Sequence, residues 1–296
     1  MHLAEISDNV FCITGATNIG VVRSGKEVAL IDTGIDRESG RKIMKILENN
    51  GLEVKVIINT HSHADHFGGN SYITKKADVR VYAPEIEAGI IQYPYLEPFY
   101  LFSAHPVKDL MNRFLMARPS RVDFVISAGG QSEIEFPGTF DLKIVPLPGH
   151  SPAQIGVEAE GVLFCADSVF SKRVMEKYGV PLFMDIGKQK ETLSFLERSD
   201  FEMYVPCHAE PVKDISDLVE TNLGLILQVE KLIVSHKKAT TEEIMKNICR
   251  EFGIKPESFT EYSLMLSAIK AYLSYLYNSG LISVEFDGVL HWKIRE

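Results

Sequence analysis

Cysteine is scarce and scattered in this chain: Cys12, Cys165, Cys207 and Cys249 lie far apart and form no CxxC pair. That spacing argues against a disulfide framework and against a cysteine-based zinc site, and leaves reduced, mostly buried thiols as the expectation. Long apolar runs are also missing. No window approaches the roughly 18–20 uninterrupted apolar residues that a spanning helix needs. The amino terminus, Met1-His2-Leu3-Ala4-Glu5-Ile6-Ser7-Asp8, has no basic segment followed by a long apolar one, so no signal peptide is expected. A cytoplasmic protein with no membrane partner is the expectation. Positive charge is in deficit, with 31 Lys and Arg against 40 Asp and Glu and a net charge of -9. A broad nucleic-acid-binding surface is thereby disfavoured, because it requires excess basic side chains.

What remains is an ordinary globular composition, 45% hydrophobic and 24% charged over 296 residues. The length corresponds to about two domains, and the apolar fraction is enough for a sizeable core.

The densest chemistry is the stretch Asn59-Thr60-His61-Ser62-His63-Ala64-Asp65-His66-Phe67-Gly68-Gly69-Asn70, directly after the apolar run Val54-Lys55-Val56-Ile57-Ile58. The run reads as a buried strand. Imidazole nitrogen and carboxylate oxygen are zinc ligands at about 2.0–2.2 Å. A loop leaving the strand end can turn His61, His63 and His66 toward one point, whereas a continuing strand would send His66 to the opposite face. The glycines that follow are expected to allow a tight backbone. A histidine-rich surface turn is the competing reading, since the chain holds nine histidines and short motifs produce false positives.

The rest of the chain repeats one theme, an apolar strand running into a single polar residue. Val28 to Asp32 ends on a carboxylate and is followed by a helix over Glu38–Asn50 with a Gly51 stop. Leu142 to Val145 leads to His150, Gly161 to Ala166 leads to Asp167, and Met203 to Cys207 leads to His208. One such histidine is more often structural. The repetition shifts the reading toward metal ligands and toward an α/β arrangement with functional groups at strand ends. Residues 85–122 differ in character: Tyr93, Tyr95, Phe99, Tyr100, Phe102 and Phe114 are interleaved with prolines and with Arg113, Arg118 and Arg121. They are expected either to pack on the core or to form a lid supplying apolar walls and an arginine to an anionic substrate group.

The assembled pattern, Asp32, His61-x-His63-x-Asp65-His66, then His150, Asp167 and His208, resembles the metallo-β-lactamase superfamily of metallohydrolases over residues 5–212. The resemblance implies an αββα sandwich of four layers. By position it implies that His61, His63 and His150 hold one metal and Asp65, His66 and His208 a second. Asp167 would bridge them, and Asp32 would orient a ligand from behind. Two divalent cations, zinc first with iron or manganese as alternatives, would share a hydroxide, and Asp65 would orient it or pass a proton. Departures from the family's pattern are Ala166 and Cys207 where glycine is common. The third residue after Asp167 is Phe170, where the family's acyl-homoserine lactonases carry tyrosine, and this disfavours a lactonase of that kind. His63 in place of glutamate disfavours a diiron oxygen or nitric oxide reductase.

Residues 213–234 are expected to form a connecting helix. Beyond it, helices to about Phe252 and over Tyr262–Asn278 precede paired strands around Asp287-Gly288. This order resembles a winged helix, so the division expected is a catalytic domain at 1–234 and a small α+β domain at 235–296. The long helix carries one basic residue, Lys270, and the segment balances eight Lys and Arg against eight Asp and Glu. DNA reading is therefore disfavoured relative to packing or homodimer formation. The leading function is a dinuclear metal-dependent hydrolase of a small ester, thioester or related acyl substrate, with hydroxyacylglutathione hydrolases as the nearest analogy. A phosphodiesterase or endoribonuclease, a mononuclear iron sulfur dioxygenase, and a non-catalytic winged-helix module stand as alternatives.

Overall fold

The computed structural model describes residues 1–127 and 140–295. One sheet runs β1 (Leu3–Ser7), β2 (Val10–Ile13), β3 (Ile19–Ser24), β4 (Glu27–Ile31), β5 (Glu53–Ile58), β6 (Arg80–Pro84) and β7 (Phe124–Ile126), in that spatial order. It is antiparallel through β4 and parallel from β4 onward. The second sheet contains β8 (Lys143–Pro146), β9 (Ile155–Ala159), β10 (Val162–Ala166) and β11 (Met203–Pro206), ordered β11-β10-β9-β8 with β10 and β11 parallel. The sequence-expected strands between Phe124 and Phe170 are found where they are described, and their part at 128–139 lies outside the described residues.

Alternating side chains stack the layers. Ala29, Ile31, Val56 and Ile58 of the first sheet meet Val157, Val162, Phe164 and Val205 of the second, forming the core between the sheets. The intervening residues Val28, Leu30 and Ile57 face outward, onto Ile43 and Leu47 of α1 (Arg37–Asn49). On the far side, Leu163, Cys165 and Tyr204 face the helices that cover the second sheet. A one-residue slip would invert these sets, and each fully buried aliphatic side chain contributes about 1.5–3 kcal/mol, so the register is strongly held. The result is the expected αββα sandwich. Among the described residues, no helix is long and apolar enough to cross a membrane.

The remaining helices are α2 (Ala64–Phe67), α3 (Asn70–Ile73), α4 (Glu85–Gln92), α5 (Leu96–Phe102), α6 (Lys172–Tyr178), α7 (Ile186–Arg198), α8 (Ser216–Val234), α9 (Thr241–Glu251) and α10 (Phe259–Asn278). A small sheet of β12 (Lys238–Ala239), β13 (Ile282–Phe286) and β14 (Leu290–Ile294), ordered β12-β14-β13, closes the chain. α9 begins at a reciprocal capping box between Thr240 and Glu243. α10 begins earlier than its apolar periodicity indicated, because Ser258 caps it by accepting the Glu261 amide hydrogen. Its buried face, including Met265, Ile269, Tyr272 and Leu276, joins the same apolar cluster as Leu193 and Leu196 of α7 and Ile226 and Val229 of α8. The carboxy-terminal segment therefore shares its core with the outer layer of the second sheet.

Two local findings correct the sequence reading. Asp65 and His66 lie on a helical turn, α2, rather than in an open loop. Gly68 and Gly69 have ordinary helical φ values of -58° and -77°, so their role is close approach rather than conformational freedom. A Cβ on Gly68 would run into the Ile35 carbonyl, and one on Gly69 into the Thr33 carbonyl. Because backbone leaves no room to yield, Gly68→Ala is expected to destabilise the protein by about 2–4 kcal/mol, read as a lowered denaturant midpoint with an unchanged slope.

Candidate metal centre

The carboxyl ends of β4, β5, β10 and β11 open on one side of the sandwich, and the polar residue following each strand projects there. Asp32 follows β4 with φ +65°, in the left-handed region. Its Oδ1 accepts the Thr60 amide hydrogen at 2.8 Å, and its Oδ2 accepts from Thr60 Oγ1 at 2.8 Å and from His66 Nδ1 at 2.8 Å. With Nδ1 engaged, Nε2 is the His66 atom that faces inward. A buried network holds the same turn: His66 O accepts from Thr33 N at 2.8 Å and from Asn59 Nδ2 at 3.1 Å, and Asn70 joins Asn59 and Thr33.

The sequence-predicted residues converge as two groups. His61 Nε2 lies 3.1 Å from His63 Nδ1, and His150 Nε2 lies 2.8 Å from the same atom. Three imidazole nitrogens around a common centre at about 2.0–2.1 Å would stand at comparable mutual distances. In the other group, His208 Nε2 is 3.3 Å from Asp65 Oδ2, and His66 Nε2 is 3.7 Å from Asp65 Oδ1. Asp167 touches both: its Oδ1 is 3.6 Å from His66 Nε2, and its Oδ2 is 3.5 Å from His150 Nε2 and 3.3 Å from His208 Nε2. His66 stays close to His61 as well, with ring centroids 3.9 Å apart, and the donor atoms of His61, His66 and Asp167 lie within 4.8 Å of one another. His150 and His208 present Nε2 because their Nδ1 atoms donate to Leu182 O at 2.7 Å and Ala16 O at 2.9 Å.

Electrostatics divides the two groups in the same way. Burial drives the proton off His61, whose pKa is well below the ordinary value, and lowers His63 to about 4 and His150 to about 3. These rings are neutral at pH 7, as metal ligation requires. Burial also opposes charge on His66 and His208, but carboxylates outweigh it: Asp65, Asp167 and Asp32 raise His66 well above the ordinary range, and Asp167 with Asp65 raises His208 to about 11. Burial would push Asp65 and Asp167 up, yet the same histidines hold both below the ordinary carboxyl range.

The donor set fits divalent metal. His66 Nε2 and Asp167 Oδ1 are sealed from solvent without a hydrogen-bond partner among the described residues, although native buried polar atoms are nearly always paired. A cation beside them satisfies both, and the imidazole and carboxylate donors suit zinc, iron or manganese. Cys207 Sγ lies 3.9 Å from His66 Nδ1 and 3.9 Å from Asp32 Oδ2. It is therefore on the outer side of the His66 ring, and burial pushes its thiol pKa well up, which suits a spectator. Phe170 walls the site, with its ring 5.5 Å from that of His150 and 6.2 Å from that of His208.

Other supports were not visible in the sequence. Glu87 of α4 is fully buried and spans two ligand-bearing loops: Oε2 accepts from Ser62 N at 3.1 Å and Ser62 Oγ at 2.5 Å, and Oε1 from Ser151 Oγ at 2.8 Å and Ala153 N at 3.0 Å. Nothing in its spacing separates it from an exposed glutamate in a helix's first turn. α7 forms a platform beneath His150 and Asp167. Gln189 Nε2 donates to Ser168 O at 2.7 Å, Thr192 Oγ1 donates to Pro148 O at 2.7 Å, and a Cβ on Gly149 would meet the Gln189 Cα at 2.5 Å. The insertion aromatics divide: Tyr93, Phe99 and Phe114 are 68%, 45% and 58% exposed, whereas Tyr100 packs against the buried cluster of Leu101, Leu110 and Leu115. Arg121 is held by Val79 O and Asp123.

Comparison with known proteins identifies the family. Residues 13–208 match the family described as the metallo-beta-lactamase superfamily. A hydroxyacylglutathione hydrolase from Methylobacillus flagellatus is 25% identical over 213 residues, covering 70% of this chain and 67% of that protein. Another from Vibrio campbellii is 25% identical over 249 residues, covering 77% and 84%. A solved metallo-beta-lactamase family protein from Thermus thermophilus has the same fold, with a TM-score of 0.72 at 19% identity over 99% of this chain and 98% of that one.

Glu87→Gln replaces an acceptor by an amide that opposes two of the four donors. It is expected to weaken metal retention by about 10- to 100-fold, measured by competition with a chromophoric chelator. Metal-free protein has a two-sided pH response. Below the ordinary histidine value of 6.5, the unfolded chain takes up protons that folded His63 refuses until about pH 4 and His150 until about pH 3, so stability falls on acidification. Above it, the unfolded chain releases protons that folded His208 keeps until about pH 11, and His66 also keeps, so stability falls as pH rises. Chelator-treated protein should melt highest near neutrality, and loading with zinc should abolish the alkaline loss.

Proposed function

The chain belongs to the metallo-beta-lactamase superfamily and is a metal-dependent hydrolase, and from that premise we propose that it uses two divalent metal ions, zinc first, to hydrolyse a small ester or thioester. The observation that carries this reading is Asp167, whose two oxygens reach histidines of both groups, at 3.6 Å for His66 and 3.5 Å for His150. The names of the curated relatives, hydroxyacylglutathione hydrolases, support an acyl substrate.

In this reading His61, His63 and His150 would hold one cation and Asp65, His66 and His208 the other, with Asp167 available to both. When bound, the pair supplies an acidified water and positive charge for the oxyanion that develops on the scissile group. The protein's own groups do the rest. Asp65 sits at the mouth of the site with its side chain 29% exposed, and its Oδ2 accepts from Thr17 Oγ1 at 3.1 Å. Its Oδ1 takes the proton released by the attacking water and returns it to the leaving group. Asp32 keeps the His66 ring in orientation. Phe170 gives the floor an apolar, non-donating surface, so carbonyl polarisation falls to the cations rather than to a hydroxyl.

We read residues 1–234 as the catalytic unit and 235–296 as an appended winged-helix-like unit with a packing role. Supporting this is the buried face of α10, together with Lys190 of α7, which pairs with Glu230 of α8 at 2.6 Å and lies over the Tyr275 ring of α10. Purified protein should carry about two metal ions per chain by elemental analysis. His63→Ala should reduce thioester turnover by at least about 100-fold, given the magnitudes that single catalytic groups supply. Absence of metal after growth with zinc, iron and manganese, or turnover of phosphodiesters or RNA in place of acyl substrates, would reject the reading.

A further inference from the structure

The loop between β2 and β3 reaches from the first sheet to the end of β11 in the second, and its bonds go to the ligands found there. His208 Nδ1 donates to Ala16 O at 2.9 Å. Thr17, 8% exposed, donates from Oγ1 to Asp65 Oδ2 at 3.1 Å. Asn18 donates from its backbone N–H to Cys207 O at 2.9 Å, and from Nδ2 to Pro206 O at 2.9 Å and Ala209 O at 2.8 Å. Three consecutive residues thus hold Asp65, His208 and the turn on which His208 sits.

Closing the hairpin does not require these bonds. The ladder of β2 and β3 already pairs Ile13 with Ile19 at its end, and all three Asn18 bonds leave the hairpin. A side-chain amide carries two N–H hydrogens on one nitrogen, which lets a short residue join two carbonyls of one turn. Asp65 comes from the first sheet, on α2 after β5, and His208 from the second, after β11. Their separation therefore depends on what ties those two sheet ends together. Thr17 also fixes the rotation of the Asp65 carboxyl: Oδ2, which it bonds, stands 3.3 Å from His208 Nε2, and Oδ1 stands on the His66 side at 3.7 Å. The other histidines are held from α4 instead, where Glu87 bonds Ser62, between His61 and His63, and Ser151, beside His150.

We propose that Thr17 and Asn18 are positioning residues for one metal position alone, that of Asp65, His66 and His208, as Glu87 is for the position of His61, His63 and His150. The proposal rests on the two-metal reading above. It gives the two positions independent supports, so either can be weakened while the other is kept. A group that orients a ligand from behind is worth about 10- to 100-fold in metal affinity, which sets the size of the effect.

The test titrates full-length zinc-loaded protein with a chromophoric chelator and follows the ions released. Wild type should release about two ions per chain. Thr17→Val, which keeps the shape and removes the donor, and Asn18→Ala should each weaken one ion by about 10- to 100-fold and leave the other within about threefold. Thr17→Ser, which still donates, should retain both ions within about threefold of wild type. Glu87→Gln should weaken the other ion, so the double variant of Glu87→Gln with Asn18→Ala should keep no tightly held ion; if both residues supported one position, a tight ion would remain. Unchanged retention or equal loss of both ions in Thr17→Val or Asn18→Ala, a Thr17→Ser as weak as Thr17→Val, or a tight ion in the double variant overturns the proposal. A wild type that binds a single ion rejects the two-metal reading instead. The positioning role is then decided on metal-free protein by the NMR signal of the His208 Nδ1–H, which the bond to Ala16 O protects from exchange: its loss in Asn18→Ala upholds the role, and its persistence overturns it.

Discussion

The Asp32 carboxyl group joins two parallel strand ends and one imidazole, and the metal centre depends on that junction. β4 and β5 run side by side, so the residues that follow them, Asp32 and then Asn59 to His61, emerge on the same edge. Asp32 binds both the backbone and the hydroxyl of Thr60, which anchors the start of the histidine stretch, and it holds Nδ1 of His66, which turns Nε2 inward. Each of these donors is fully buried. Removing the carboxyl would leave three donors unpaired at about 1–3 kcal/mol each. The strained left-handed backbone at Asp32 is maintained because the surrounding contacts over-determine it.

Around that anchor the site has two halves with opposite proton chemistry. His61, His63 and His150 are crowded together and shed protons, whereas His66 and His208 face carboxylates and retain them. Two like clusters would be unstable in one low-dielectric edge; neutral imidazoles beside carboxylate-bound imidazolium ions are not. Divalent metal bound there would replace the retained protons and relieve the crowding of lone pairs. The same balance explains why Asp167 belongs to both halves: it is the anionic group shared by His150 on one side and by His66 and His208 on the other.

The outer layers convert this edge into a positioned site. α7 lies beneath the loops of His150 and Asp167, gripping Pro148 and Ser168 by their carbonyls. α10 in turn holds α7 through Tyr275 and Lys190. On the opposite side α4 fixes Ser62 and Ser151 through Glu87 and leads into α5. The support is therefore two-sided, with the carboxy-terminal segment behind one half and the aromatic insertion beside the other.

Much of the α/β architecture and the identity of the seven converging residues were legible in the sequence, because both depend on local pattern. Alternating apolar residues mark strands, and each polar residue at a strand end is bound to project from the sheet edge. His150, Asp167 and His208 are of that kind, and His61, His63, Asp65 and His66 lie on the loop and helical turn that follow β5. Which histidines face carboxylates was not legible from periodicity, because it depends on α2 setting His66 beside Asp65 and Asp167 and on Asp32 engaging its Nδ1, which leaves Nε2 inward. Glu87 and Gln189 were equally hidden. Their side chains are polar, ordinary in helical segments, and acquire meaning only when packing removes them from water. The sequence by itself determined which strands end in ligating atoms; tertiary structure decided which of those atoms share a centre, because burial and the charges of residues distant in the chain control both orientation and protonation.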